Sequence, residues 1–299
     1  MIQHGYTPKF AVGTVAGSSV LGMLIPPSLL LIVYGFVAEQ SVGILFIAAI
    51  VPGLMLATAM AVAVFAMAHL WPAFVGNPSV DDMAEENLAS AAVKLLPIAA
   101  LITLVLGGMY GGFYTPVEAG AAGALVIGLV RRRLTWGRLR TVLVETGHVT
   151  VAILFLILAA NIYGRMLALS GFPQMLSSLI ADAHMGYYAF MAVYVLMVLV
   201  LGMFLESISL MLIVLPLTLP IVTGFGGDLV WFGIVSVIAV EMGLLTPPLG
   251  IAVYVVRSTI NDPRVTLNQV FIGAAPYVAI MLIVTVALIA FPKILLLLL

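Results

Sequence analysis

Long apolar runs separated by short polar breaks predict nine helices. They cover Phe10–Glu39, Val42–Leu70, Val93–Gly107, Pro116–Val130, Val149–Leu169, Tyr187–Phe204, Ser207–Thr223, Leu229–Arg257 and Val270–Phe291. Several of these, Val42–Leu70, Val149–Leu169 and Val270–Phe291 among them, reach the roughly 20 residues that carry a helix across a hydrocarbon core. The pattern therefore predicts an all-α polytopic membrane protein. A single sizeable polar stretch, Pro72 to Ser90, holds Asp81, Asp82, Glu85 and Glu86 and reads as a loop or surface helix.

Two of the apolar runs are interrupted by the same element. Leu21-Gly22-Met23-Leu24-Ile25-Pro26-Pro27-Ser28 aligns without a gap on Met242-Gly243-Leu244-Leu245-Thr246-Pro247-Pro248-Leu249, at an offset of 221 positions. At that offset Phe10 falls on Trp231 and Gly5 on Gly226, which extends the likeness upstream. Adjacent prolines remove two amide donors and clash with the carbonyls before them, so each helix must break there. Irregular backbone at membrane depth is tolerated only where it is buried in protein or lines a wet cavity, and its free carbonyls suit a cation or a polar substrate. A lone pair of prolines reads as a simple kink; two copies in corresponding places read as a site.

Composition and charge sharpen this picture. Hydrophobic residues make up 64% of the chain and charged ones 8%, which rules out a water-soluble globule. The net charge is −1 with no long basic run, so nucleic acid is not a partner. Cysteine is absent, which excludes disulfides, thiolate metal sites and cysteine nucleophiles. The first residues lack the layout of a secretory signal. Five of the eleven basic residues, Arg131, Arg132, Arg133, Arg138 and Arg140, lie within ten positions, and the positive-inside rule places them in the cytoplasm. Counting crossings from there puts Lys9, Arg257 and Arg264 on the same side and gives the two broken spans opposite directions. Thr135 to Glu145 is expected to lie as an amphipathic helix on that membrane surface.

Oppositely oriented repeats carrying broken helices mark secondary transporters that alternate access about a midplane site. On this reading residues 1–92 close a first inverted repeat broken at Pro26-Pro27. Residues 93–299 form the second, with a candidate hairpin near 187–223 and a break at Pro247-Pro248. The counterpart of Val93 would fall on the order of 130 residues before Met1, so the first repeat is expected to be truncated and the chain to be the C-terminal part of a longer transporter.

Four stretches resemble the large membrane subunit of TRAP transporters, the DctM-like dicarboxylate permease type. They are Gly13-Thr14 through Ser28, Gly107-Gly108-Met109-Tyr110-Gly111-Gly112-Phe113-Tyr114-Thr115-Pro116-Val117-Glu118-Ala119, Leu201-Gly202-Met203-Phe204-Leu205-Glu206, and Val230-Trp231-Phe232-Gly233 leading to Glu241 through Gly250. They occur in the family's order and span nearly the whole chain. The resemblance implies a sodium-coupled importer of organic acids such as C4-dicarboxylates, residing in the bacterial inner membrane as a multi-pass protein. It implies a small four-helix membrane subunit and a periplasmic substrate-binding protein as partners, and an elevator-like movement of the transport domain. It also makes Glu206 the tip of a re-entrant hairpin. The chain departs from the family by lacking the early spans and the first hairpin.

Candidate cation-binding residues around the first break are Ser18, Ser19, Gly22, Ile25 and Pro26, since hydroxyls and exposed carbonyls suit a hard cation. Around the second break and the hairpin they are Gly202, Glu206, Ser207, Gly243, Thr246 and Pro247. Candidate substrate-binding residues are Gly17, Ser28, Ser209 and Pro248. Gly17 and Gly22 read equally as helix-packing residues, and Glu206 equally as a cap of the following helix. Glu241 reads as an ion-coupling group or, by preference, the partner of Arg257 or another cation. Glu118 reads as a carboxylate at a helix start. Asn161 and Arg165 share one helix face, and Arg165 reads as snorkelling to the interface or meeting an anionic substrate, the structural reading being preferred.

His4, His69, His148 and His184 are scattered, and neither HExxH nor a nucleophile elbow occurs, so no cofactor, metal enzyme or catalytic dyad is expected and sodium is the one ion implied. The alternative to a transporter subunit is a non-transporting membrane scaffold, or truncated paralogue, that assembles with partner subunits.

Overall fold

A computed structural model describes residues 1–77, 88–130, 135–260, 262 and 264–292. The acidic residues Asp81, Asp82, Glu85 and Glu86 and the arginines Arg131, Arg132 and Arg133 lie outside the described residues. Helices form the regular structure throughout the described residues. They are α1 (Pro8–Ser19), α2 (Leu21–Leu24), α3 (Leu29–Val37), α4 (Val42–Leu70), α5 (Pro72–Val75), α6 (Leu88–Tyr110) and α7 (Pro116–Val130). These are followed by α8 (Trp136–Ser170), α9 (Phe172–Asp182), α10 (Tyr187–Gly202), α11 (Ser207–Gly224), α12 (Leu229–Leu245), α13 (Ile251–Thr259) and α14 (Leu267–Ala290). Four of them, α4, α8, α11 and α14, are long and apolar enough to cross a membrane, and α1 to α3 form a bent fifth. The chain is a multi-pass membrane protein.

Proline spacing decides where helices break. Pro52 in α4 and Pro276 in α14 sit inside continuous helices, as do Pro216 and Pro220 in α11. A single proline removes one hydrogen bond, which the neighbouring turns bridge. Two in succession remove consecutive bonds, and the chain opens between α2 and α3 and between α12 and α13. The first of these openings bends the span by 43°.

The repeat seen in the sequence extends to local structure. Shifted by 221, α12 (Leu229–Leu245) falls on Pro8–Leu24, the combined extent of α1 and α2. Both copies are capped alike, Thr7 accepting from the Phe10 amide and Asp228 from the Trp231 amide. Before each cap stands a left-handed glycine, Gly5 at φ 86° and Gly226 at φ 71°. Both Pro-Pro peptide bonds are cis.

Two packing units are present, one joining Met1–Met83 with Ser170–Leu299 and the other comprising Ala84–Leu169. In the first, α12 is the central helix. Every residue from Val230 to Gly243 is buried, against α2, α3, α4, α10, α11, α13 and α14. A helix apolar all round has no solvent face to keep and takes the core. Helices α1 and α14 cross at Gly13 and Gly273, where a Cβ on either would strike backbone of the other helix; small residues allow this approach. Buried polar groups are bonded between helices: Tyr194 with Ser236 at 2.7 Å, Thr14 with Tyr277 at 2.8 Å, and the Trp231 indole donating to the Leu288 carbonyl at 3.0 Å. Among the described residues no buried side-chain oxygen or nitrogen lacks a partner, as a low-dielectric interior demands.

In the second unit α6 packs on α7. Glu118 accepts from the Thr115 amide at 2.8 Å while the Thr115 hydroxyl accepts from the Glu118 amide, so this carboxylate is the helix-start group that its sequence context predicts. The sequence predicts a separate surface helix over Thr135 to Glu145, and here the structure corrects it. The segment and the following span are one 35-residue helix, α8. Gly147 is the weakest helix former at the junction, and a lone glycine costs only about 1 kcal/mol. Helix α9 was not predicted either, although Phe172, Met175, Leu176, Leu179 and Ile180 follow helical spacing and Gly171, at φ 72°, ends α8.

Candidate functional site

Each break must find new partners for the carbonyls that its prolines leave behind. Pro26 and Pro27 have no amide to offer Gly22 and Met23. The Ser28 hydroxyl donates to the Met23 carbonyl and accepts from the Leu31 amide at 3.2 Å, closing the break and capping α3 at once. Pro247 and Pro248 likewise offer nothing to Gly243 and Leu244. There the Thr246 amide turns back to the Gly243 carbonyl at 3.0 Å and its hydroxyl to the Met242 carbonyl at 2.7 Å.

Around the first break Pro26 and Ser28 are buried, and Ile25 packs against Gly53 of α4. Ser18, Ser19 and Gly22 are exposed, and a Cβ on Gly22 would meet nothing. Ser18 donates to the Val15 carbonyl at 3.3 Å and Ser19 to the Ala16 carbonyl at 2.7 Å. A hydroxyl that gives its proton to its own helix keeps its oxygen lone pairs for a cation. Gly17 is different: it is buried under the Tyr277 ring, so its missing side chain serves the packing of α1 on α14 instead of an open substrate surface.

At the second break the structure assembles most of the predicted residues. Helices α10 and α11 form a hairpin whose turn, Met203 to Glu206, lies on the end of α12. Gly202 and Gly243 meet backbone to backbone, and a Cβ on Gly243 would stand 2.6 Å from the Gly202 Cα. The Met203 carbonyl accepts from the Gly250 amide at 3.2 Å, tying the turn to the far side of the break. Ser207, buried, donates to Glu241 at 3.1 Å. Glu206 is exposed and caps α11, accepting from the Ile208 and Ser209 amides at 3.1 Å each and from the Ser209 hydroxyl. Of its two sequence readings, the cap is the one its geometry displays. Pro247 and Pro248 are exposed, and Thr246 is half-buried.

Glu241 does not pair with Arg257. Arg257 donates to the Ile260 carbonyl at 3.0 Å, and the partner of Glu241 is the Ser207 hydroxyl, contrary to the expected ion pair. Asn161 bonds the Ile157 carbonyl of its own helix at 3.0 Å. Among the described residues no group of three histidine, cysteine or acidic side chains could hold a metal ion.

Sequence reasoning overlooked Asn268, which with Leu245, Thr246, Pro247 and Phe271 lines a cleft of about 300 Å³ beside the second break. It also overlooked Tyr277, which seals Gly17 and bonds Thr14. No local pattern marks either residue, because each reaches the site from α14.

Residues 1–294 match the family described as Tripartite ATP-independent periplasmic transporter, DctM component. The chain is 32% identical over 287 residues to the C4-dicarboxylate TRAP transporter large permease protein DctM of Pseudomonas aeruginosa, covering 95% of this chain and 66% of that protein. It is 31% identical to the sialic acid TRAP transporter large permease protein SiaM of Vibrio cholerae, over 98% of this chain and 68% of that protein. It is 28% identical to the ectoine TRAP transporter large permease protein TeaC of Halomonas elongata, again over 98% and 68%. The chain thus spans just under two thirds of the length of the Pseudomonas protein. With a match running almost from end to end and relatives that are permease subunits and not enzymes, the chain belongs to the DctM component family of tripartite ATP-independent periplasmic transporters.

Proposed function

We propose that this chain works as the large permease subunit of a sodium-coupled, binding-protein-dependent secondary transporter that imports organic acids. The observation that carries the reading is the pair of Pro-Pro breaks with matching helix lengths, caps and glycines at a constant offset. Such breaks gather carbonyl and hydroxyl oxygens without a carboxylate cluster, which suits a monovalent hard cation better than a divalent one. Ser18, Ser19 and Thr246 supply hydroxyl oxygens, and the backbone of Gly22, Ile25, Pro26, Gly243 and Pro247 supplies carbonyls.

The α10–α11 hairpin is read as re-entrant, with Gly202 and Ser207 at its tip closing over the second break. The two repeats are read as inverted, moving together as an elevator in the bacterial inner membrane. Relatives are named for C4-dicarboxylate, sialic acid and ectoine. The amide-bearing ends of α3 and α13 offer hydrogen bonds to a carboxylate, whereas the Ser28 and Ser209 hydroxyls already donate to the Met23 carbonyl and to Glu206. A small four-helix membrane subunit and a periplasmic binding protein complete the assembly in this reading.

Uptake into proteoliposomes holding the chain with both partners tests it. Thr246→Val is expected to raise the sodium concentration for half-maximal uptake by roughly tenfold, the loss expected for one ligand oxygen with a charged partner. Unchanged sodium dependence would remove Thr246 from the site. No uptake under any gradient would favour a scaffold.

A further inference from the structure

Glu241 is the one buried carboxylate among the described residues, with 4% of its surface exposed. No cation lies within ion-pair distance of it among the described residues. An intramembrane carboxylate is costly and persists where it has a specific partner. Its partner is the hydroxyl of Ser207, the first residue of α11. Glu241 stands about one helical turn before the break, and Ser207 follows the hairpin turn directly.

Three contacts hold that turn on α12 and the break: the Gly202–Gly243 backbone contact, the Met203–Gly250 hydrogen bond and the Ser207–Glu241 bond. The first two are made by main chain, and the third is a hydrogen bond between side chains. Glu206, next to Ser207, cannot substitute, because its oxygens are engaged by the amides that begin α11.

We propose that Glu241 is a positioning residue which, through Ser207, holds the tip of the α10–α11 hairpin seated on the second break. Its bearing on transport rests on the permease reading above; the seating itself does not. Removing the bond shifts the hairpin towards an unseated state and weakens retention of whatever ion the break holds. The requirement is for an acceptor of glutamate length, so glutamine, whose amide oxygen also accepts, preserves the function.

The absence of cysteine makes the test clean. Nitroxide labels are placed at Phe204→Cys and Leu249→Cys, both exposed positions flanking the Met203–Gly250 bond, and dipolar broadening is measured in the membrane-reconstituted full chain. The seated hairpin gives a broadened spectrum. Ser207→Ala and Glu241→Leu are each expected to lower the ratio of seated to unseated hairpin by roughly threefold to tenfold, the range of one hydrogen bond. The double variant should be no worse than either, and Glu241→Gln should retain the parental spectrum. If Glu241→Leu fails to fold, Ser207→Ala decides alone. Spectra unchanged in Ser207→Ala, or a Glu241→Gln spectrum that matches Glu241→Leu, would overturn the proposal.

Sodium-dependent uptake by the assembled transporter separates the two readings. Ser207→Ala is expected to raise the sodium concentration for half-maximal uptake. Loss of broadening in a chain that never transports sinks the permease reading and keeps the seating role. Normal uptake with unaltered broadening sinks the seating role alone.

Discussion

Hydroxyls settle the two breaks at positions that do not correspond. Ser28 follows the first proline pair and Thr246 precedes the second, and at the 221 offset Ser28 falls on Leu249 and Thr246 on Ile25. Ser28 takes the Met23 carbonyl that Pro27 orphans, whereas the Thr246 amide moves to the orphaned Gly243 carbonyl and its hydroxyl replaces that amide on Met242. That a hydroxyl is needed beside such a break is legible in the sequence; which carbonyl it takes depends on the local fold. A clearer case of local chemistry is the loop before α14. There the Arg264 side chain and then its amide hydrogen-bond Asp262 and hold its carboxyl at about 2, below the ordinary 3.8. The guanidinium stands 2.7 Å away. A depressed carboxylate favours the ordered loop above its ordinary pKa, and that contribution fades as pH falls from 3.8 towards 2. In a carbon-13 carboxyl titration, Arg264→Ala is expected to move the Asp262 midpoint upward towards 3.8. A stationary midpoint would show that the amide alone sets it.

Among the elements, the contrast between paired and single prolines explains why α4, α11 and α14 run on while the two repeat spans open. This much can be read without coordinates, since the lost hydrogen bonds and the clash lie within one turn of the proline. The unbroken α8 could not, because a helix continues by default and nothing in Thr135 to Val149 compels either a stop or a passage. Packing of α1 on α14 gives an element-level prediction. Gly13→Ala would push a methyl into the Gly273 backbone and is expected to destabilise the chain by about 1–3 kcal/mol. Gly120→Ala, at a place where a Cβ meets nothing, is expected to leave the chain unchanged or slightly more stable. Thermal melts in detergent compare them; equal melting points would show that the α1–α14 crossing has room to spread.

For the whole molecule, the charge pattern and the first packing unit agree on one point. Met1, Ile2 and Gln3 share a cleft with Ile260, Asp262 and Arg264, so the N-terminal turn and the α13–α14 loop lie on one side. The positive-inside count had placed Lys9 and Arg264 together in the cytoplasm. Single cysteines at Gln3 and Arg264 are expected to react with a membrane-impermeant maleimide from the same face, and only after the cytoplasmic side is opened. Labelling from opposite faces would refute the topology and the shared cleft together.

Membrane residence, helix content and the two breaks were determined by the sequence alone, because hydropathy and proline chemistry act through composition and through neighbours a few positions apart. The repeat was legible for the same reason: its caps, glycines and prolines are local signals repeated at one spacing. Tertiary structure alone decided that Tyr277 covers Gly17, that Gly202 meets Gly243, and that Glu241 answers to Ser207 and not to Arg257. These partners lie 34 to 260 positions apart, and no periodicity carries that information. Which faces meet is set by how the helices close around α12, where the fit of side chains across several elements at once selects the contact.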